Sequence, residues 1–165
     1  MTGTRGKLAV RLARQVFPRL FAIYGIALGI NYVWEMLQMP LYEGMYFSEP
    51  ASYLLCLKAS FGDANIAIAI YLLGSLLFRD WRWSNNMTIA KLAYLSVAGG
   101  STAIVIESLA FDAGWWNYSH LMPLLPLLKV GLVPFLQLIL LPYPSYLIAG
   151  RIPCLRAATS NYSRR

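Results

Sequence analysis

The sequence predicts an all-α, polytopic transmembrane helix bundle of about four spans with both termini in the cytoplasm. Three observations carry this prediction. Of 165 residues, 58% are hydrophobic and 13% charged, whereas soluble domains run near ~45–50% and ~25%. The apolar residues gather into four runs, each long enough at ~1.5 Å per residue to cross a ~30 Å hydrocarbon layer. Nearly all Lys and Arg residues fall outside those runs, in segments that an even number of crossings places on one face.

Residues 1–19 form a basic N-terminus containing Arg5, Lys7, Arg11, Arg14 and Arg19. Residues 7–19 alternate basic and apolar positions and suit a short helix on the inner membrane surface. The first span is expected over 20–39, closed by Pro40. Its apolar run is too long for a signal-peptide core, and no small-x-small cleavage pattern follows it. The second span is expected over 53–78, with Ser48 and Pro50 as start signals. The third covers 92–111. The fourth, 124–150, carries Pro126, Pro134, Pro142 and Pro144, so it bends or breaks. A basic tail, 151–165, closes the chain.

The charge pattern fixes the orientation. Arg79, Arg82 and Lys91 lie between the second and third spans, and Arg151, Arg156, Arg164 and Arg165 follow the fourth. The opposite loops, 40–50 and 111–123, contain neither Lys nor Arg. By the positive-inside rule both termini are expected to face the cytoplasm. The net charge of +7 is thus an orientation signal and a contact for anionic lipids, not a nucleic-acid patch. Eleven Tyr and five Trp suit a chain meeting two membrane–water interfaces. Cys56 and Cys154 are expected on opposite faces, unbridged.

Five ionisable residues fall within the apolar runs: Glu35, Lys58, Asp63, Glu107 and Lys129. Ionisable groups inside a bilayer are costly, so each is a candidate functional residue. Counted along their spans, the three carboxyls come from three helices and share one layer about 6–8 Å below the outer boundary. The two lysines come out just above them, and small residues at Gly62, Gly99, Gly100 and Ser101 would permit close helix approach. Three acids against two bases leave one carboxyl unpaired. In a low-dielectric layer such a group tends to keep its proton, which makes it a usable general acid or relay. Glu35, Asp63 and Glu107 are therefore the candidate catalytic residues.

Asn31, Glu35 and Gln38 fall on one helix face at i, i+4 and i+7. Asn31 and Gln38 are placed to orient the Glu35 carboxyl, with Trp34 beside it. Trp115, Trp116 and Tyr118 in the outer loop serve either as interfacial anchors or as a wall whose ring faces shelter a cation. Together with Asn31, Trp34 and Gln38 they are the candidate substrate-binding residues. His120, the single histidine, has no companion ligands at metal spacing. No metal or cofactor is expected, since no phosphate loop, HExxH, GxSxG or CxxC is present.

The string Asn31-Tyr-Val-Trp34-Glu35-Met-Leu-Gln38-Met-Pro40-Leu-Tyr42 is accompanied by Gly62-Asp63, Trp116-Asn-Tyr118, Met122-Pro123 and Gly131-Leu-Val-Pro134-Phe-Leu-Gln137. Together they resemble a group of small bacterial polytopic inner-membrane proteins, a resemblance that implies the membrane fold and no activity. A narrower resemblance, Asn-x-x-Trp-Glu in one span with an Asp about one span later, is to the membrane-bound terpene cyclases of fungal meroterpenoid pathways. It implies acid-initiated cyclisation of an isoprenoid, with Glu35 at the matching Glu and Asp63 near the downstream acid. It covers the first two spans, and this chain has fewer spans than those cyclases. An acid catalyst acting on a lipid-soluble isoprenoid is the leading functional expectation. The others are a non-catalytic subunit, which would use the polar layer for packing, and a proton-coupled carrier. Expected partners are membrane lipids, a lipid-soluble small molecule, and a second copy or another membrane protein.

Overall fold

The computed structural model describes residues 2–152, with side chains from residue 16 onward. Of the expected basic tail, Arg151 closes the last helix, and residues 153–165, Cys154 among them, lie outside the described residues. Four helical segments are long and apolar enough to cross a membrane: Val16–Leu41, Pro50–Leu77, Ile89–Asp112 and Leu132–Arg151. The chain is a four-span integral membrane protein, and its described residues form no β-strand beyond two isolated bridges.

Helix α1 runs unbroken over Thr2–Gln38, so no separate surface helix precedes the first span. A 3-10 turn at Met39–Leu41 ends it, carrying Pro40, which has no N–H to continue a helix. Helix α2 covers Pro50–Leu77 and starts on a proline, whose missing N–H costs nothing in the first turn. Helix α3, Ile89–Asp112, is capped by the Thr88 hydroxyl, which accepts from Lys91 N at 3.4 Å.

The fourth span begins at Leu132 rather than near Leu124. Pro123 and Pro126 stand in the preceding loop, where Leu127 and Lys129 adopt positive φ and Leu124 pairs with Gly131 in an isolated bridge. None of these conformations is compatible with a helix. The span is one bent crossing: α4, Leu132–Leu140, and α5, Pro142–Arg151, are separated by Leu141 alone. Pro142 supplies the bend by withholding a backbone donor.

Helix α1 packs chiefly against α2 and α5, and α3 against α4. Small side chains set the first contact, with Ala27, Ala64, Ala67 and Ala149 all buried around Ile23 and Tyr146. The second is closer still, because a Cβ built on Gly99 would lie 2.1 Å from the Leu138 carbonyl oxygen. Gly100 faces the Phe135 ring on the same contact. Gly62 faces open space and Ser101 is exposed, so neither takes the packing role expected of it.

The end of the bundle bearing Arg79, Arg82 and Lys91 is held by aromatic residues. Tyr146 OH donates to Ala67 O at 2.6 Å, Tyr94 OH to Ile70 O at 2.7 Å, and Trp83 Nε1 to Tyr71 O at 3.0 Å. Each bond satisfies a polar atom while the ring fills apolar volume. Arg19, expected in the basic cytoplasmic or interfacial N-terminus, is buried here at 5% exposure. Its Nη2 donates to Ser84 Oγ at 2.9 Å and Asn85 Oδ1 at 2.6 Å, and its guanidinium stands against Tyr71 and Trp81.

Candidate functional site

Near the opposite end of α1 the polar stripe faces into the bundle. Asn31 and Gln38 are buried and Glu35 is largely covered. Alpha-helical spacing puts the three on one face, and packing against α2 and α4 brings further polar groups to them. The residue that joins them is Gln137 of α4, 2% exposed. Its Nε2 lies 3.0 Å from Asn31 Oδ1, 2.9 Å from Glu35 Oε1 and 2.8 Å from Asp63 Oδ2. Its Oε1 accepts from Gln38 Nε2 at 3.0 Å, and the same Gln38 nitrogen donates to Glu35 Oε1 at 2.9 Å. Three helices thus meet on one primary amide.

Two carboxyl groups share this centre. Glu35 Oε1 and Asp63 Oδ2 accept from the same Gln137 nitrogen, which holds the two carboxyls side by side. Two carboxyls brought to one amide nitrogen with no cation bonded to either favour sharing a proton over carrying two charges. Asn31 is fixed from behind by its own bond to Ala27 O at 2.8 Å, and the Cys56 thiol contacts the Glu35 carbonyl. The side-chain hydrogen-bond partners of both acids are neutral amides, not cations.

Glu107 occupies a neighbouring cluster. It is buried on α3, where Trp116 Nε1 donates to its Oε2 at 3.2 Å and the Tyr118 hydroxyl donates to the same oxygen. Tyr118 in turn accepts from Gly131 N at 3.0 Å, which ties the outer loop to the start of α4. A second set of bonds ties that loop to the end of α1. Glu43 N donates to Asn117 O at 2.9 Å, Ser119 N to Leu41 O at 2.9 Å, and Ser119 Oγ to Pro40 O at 3.0 Å.

Tyr42 stands between the two clusters, its ring 5.7 Å from that of Tyr118 and 6.4 Å from that of Trp116. Burial, reinforced by the nearby Glu107 and Glu35 carboxyls, pushes the Tyr42 hydroxyl far above the ordinary phenol range. Burial, followed by its bond to Glu107, pushes the Tyr118 hydroxyl up as well.

The structure therefore divides the expected carboxyl layer into a pair and a separate acid. Glu35 and Asp63 come together, whereas Glu107 anchors the outer loop. Lys58 and Lys129 are exposed, and Lys129 lies in the loop before α4 rather than within a span. Trp116 and Tyr118 reach Glu107, not Glu35. Trp115 is 69% exposed and touches Trp116, so it lines no wall around the pair. Trp34 borders an open apolar groove with Gly29, Ile30, Val33 and Leu37 on α1 itself. Among the described residues, no three His, Cys, Asp or Glu side chains are grouped to hold a metal ion.

Gln137 is the member of the centre that charge-based reading misses, because a neutral amide does not register among ionisable residues. Its signal is a single amide in the otherwise apolar run from Leu132 to Leu141. No family model, curated protein or solved structure matches the chain.

Proposed function

We propose that this integral membrane protein is an acid catalyst acting on a lipid-soluble, isoprenoid-type substrate, with Glu35 as proton donor and Asp63 as its proton-sharing partner. It works in the bacterial inner membrane with its basic termini in the cytoplasm. One observation carries the reading: two carboxyls from different helices are held by one Gln137 amide nitrogen. A carboxyl pair sharing a proton in a site shielded from water is suited to protonating an alkene or epoxide. The proton moves to the substrate carbon or oxygen, and the carboxylate left behind is stabilised by the N–H groups of Gln38 and Gln137. Loss of a proton from the resulting cation restores the acid. The Asn-x-x-Trp-Glu string agrees with this assignment.

The experiment is turnover of isoprenoid alkenes and epoxides by purified protein in nanodiscs, wild type against Glu35→Gln. The amide keeps the shape and removes the proton, so the rate should fall about 10²- to 10⁴-fold with folding retained. A variant as active as wild type overturns the assignment.

A second reading, a non-catalytic subunit, is favoured by the way the Gln137 amide joins α1, α2 and α4 through both its nitrogen and its oxygen. It predicts that Glu35→Gln leaves function intact and that the protein co-purifies with a larger assembly.

A further inference from the structure

Helix α1 carries two different faces side by side. One is the polar stripe of Asn31, Glu35 and Gln38. The other is the open apolar groove of Gly29, Ile30, Val33, Trp34 and Leu37. At ~100° per residue, Trp34 falls at the border between them. A Cβ built on Gly25 or Gly29 would meet nothing within 4 Å, so the groove side of the helix is unobstructed.

Two buried polar atoms at this border have no hydrogen-bond partner among the described residues: Trp34 Nε1 and Gln38 Oε1. Gln38 is 3% exposed, so its idle oxygen is not facing water. The two residues are four apart on one helix, which stacks their side chains. One is a donor only and the other an acceptor only. Buried polar atoms are rarely left without partners, and such exceptions mark an occupant or a function. The pair is complementary to one group that accepts and donates at the same time. A hydroxyl does both.

We propose that the groove seats the chain of a lipid-soluble alcohol, its hydroxyl accepting from Trp34 Nε1 and donating to Gln38 Oε1. A swing of the Trp34 ring toward the groove it borders admits the hydroxyl. A hydrocarbon would leave both polar atoms idle, and an ether would satisfy only the indole. The site deepens the acid-catalyst reading and rests on it for its purpose. The Gln38 amide that receives the hydroxyl also donates to Glu35 Oε1 at 2.9 Å, so the bound oxygen is one amide group away from the acid.

The test is equilibrium binding of radiolabelled 1-dodecanol to the full chain in nanodiscs, competed with methyl dodecyl ether and with dodecane. Dodecanol should bind saturably, the ether about five- to tenfold more weakly, and dodecane more weakly again. Trp34→Phe keeps a ring but loses the donor, so it should weaken alcohol and ether by a similar factor and leave dodecane unchanged. The ligand series needs no variant, so a misfolded Trp34→Phe protein does not disarm it. Equal binding of the three ligands, or no saturable alcohol binding, overturns the proposal and leaves a water as the only occupant.

Glu35→Gln separates the two readings. Retained alcohol binding in a protein whose turnover never depended on Glu35 refutes the acid and keeps the site. Turnover that depends on Glu35 without saturable alcohol binding refutes the site and keeps the acid.

Discussion

Gln137→Leu is the substitution on which the site geometry makes its largest quantitative demand. Leucine nearly matches the volume, so packing changes little and the loss is of hydrogen bonds. The amide's two N–H hydrogens serve Asn31, Glu35 and Asp63, and its oxygen serves Gln38. Three bonds are removed. At the ~0.6 kcal/mol typical of side-chain bonds between membrane helices, that is about 2 kcal/mol. The substitution also leaves carboxyl oxygens and a Gln38 N–H buried without partners, which adds about 1–3 kcal/mol. The expected destabilisation is about 3–5 kcal/mol, combining these two ranges. It is measurable by reversible unfolding in mixed micelles of mild detergent and dodecyl sulfate. Leu140→Ala, at a residue 49% exposed on the same helix, is the reference and should cost less than about 1 kcal/mol. A Gln137→Leu protein within about 1 kcal/mol of wild type would refute the reasoning, because an amide joining three helices in a dry interior cannot be so dispensable.

Gly99→Ala should cost about 3 kcal/mol or more, since its methyl would meet the Leu138 backbone and force α3 from α4, whereas Gly25→Ala should be neutral or slightly stabilising. Unfolding midpoints of the two variants check the contrast. Arg19→Ala should destabilise by about 1–3 kcal/mol by leaving the buried Ser84 hydroxyl without its partner, with loosening at the turn 83–85 seen by hydrogen exchange. The raised Tyr42 and Tyr118 hydroxyls hold their protons more tightly folded than unfolded. Their contribution to stability is therefore constant below pH ~10, the ordinary tyrosine value, and declines above it as the unfolded chain ionises. Ultraviolet titration should show at least two tyrosine ionisations that come only with alkaline unfolding.

The membrane architecture was legible because it follows from counting. Runs of apolar residues set the spans, and the Arg- and Lys-free segments 40–50 and 111–123 mark the loops that share one side. The polar face of α1 was legible for the same reason, since helical spacing alone aligns Asn31, Glu35 and Gln38. What sequence could not supply was depth and azimuth on the other helices. Asp63 points to Glu35 and Glu107 does not, although both sit at similar distances along their spans. The rotation of α2 and α3 about their axes depends on contacts such as Gly99 against Leu138. Lys129 looked intramembrane because its neighbours are apolar, but Pro123 and Pro126 keep that segment out of the helix. Arg19 read only as part of the basic N-terminal flank, and its partners Ser84, Asn85 and the Tyr71 and Trp81 rings lie too far along the chain for sequence to pair with it. Trp115 and Trp116 are adjacent in sequence and diverge in role, one facing outward and the other bonded to Glu107.

The central claim is that Glu35 and Asp63 form one proton-sharing centre. Infrared difference spectroscopy of the carboxyl carbonyl stretch, on protein in nanodiscs at neutral pH, tests it most directly. The account predicts a protonated-carboxyl band that either Glu35→Gln or Asp63→Asn alone removes or shifts. Contradiction would come from a band that survives one substitution unchanged, or from two fully ionised carboxylates with no such band.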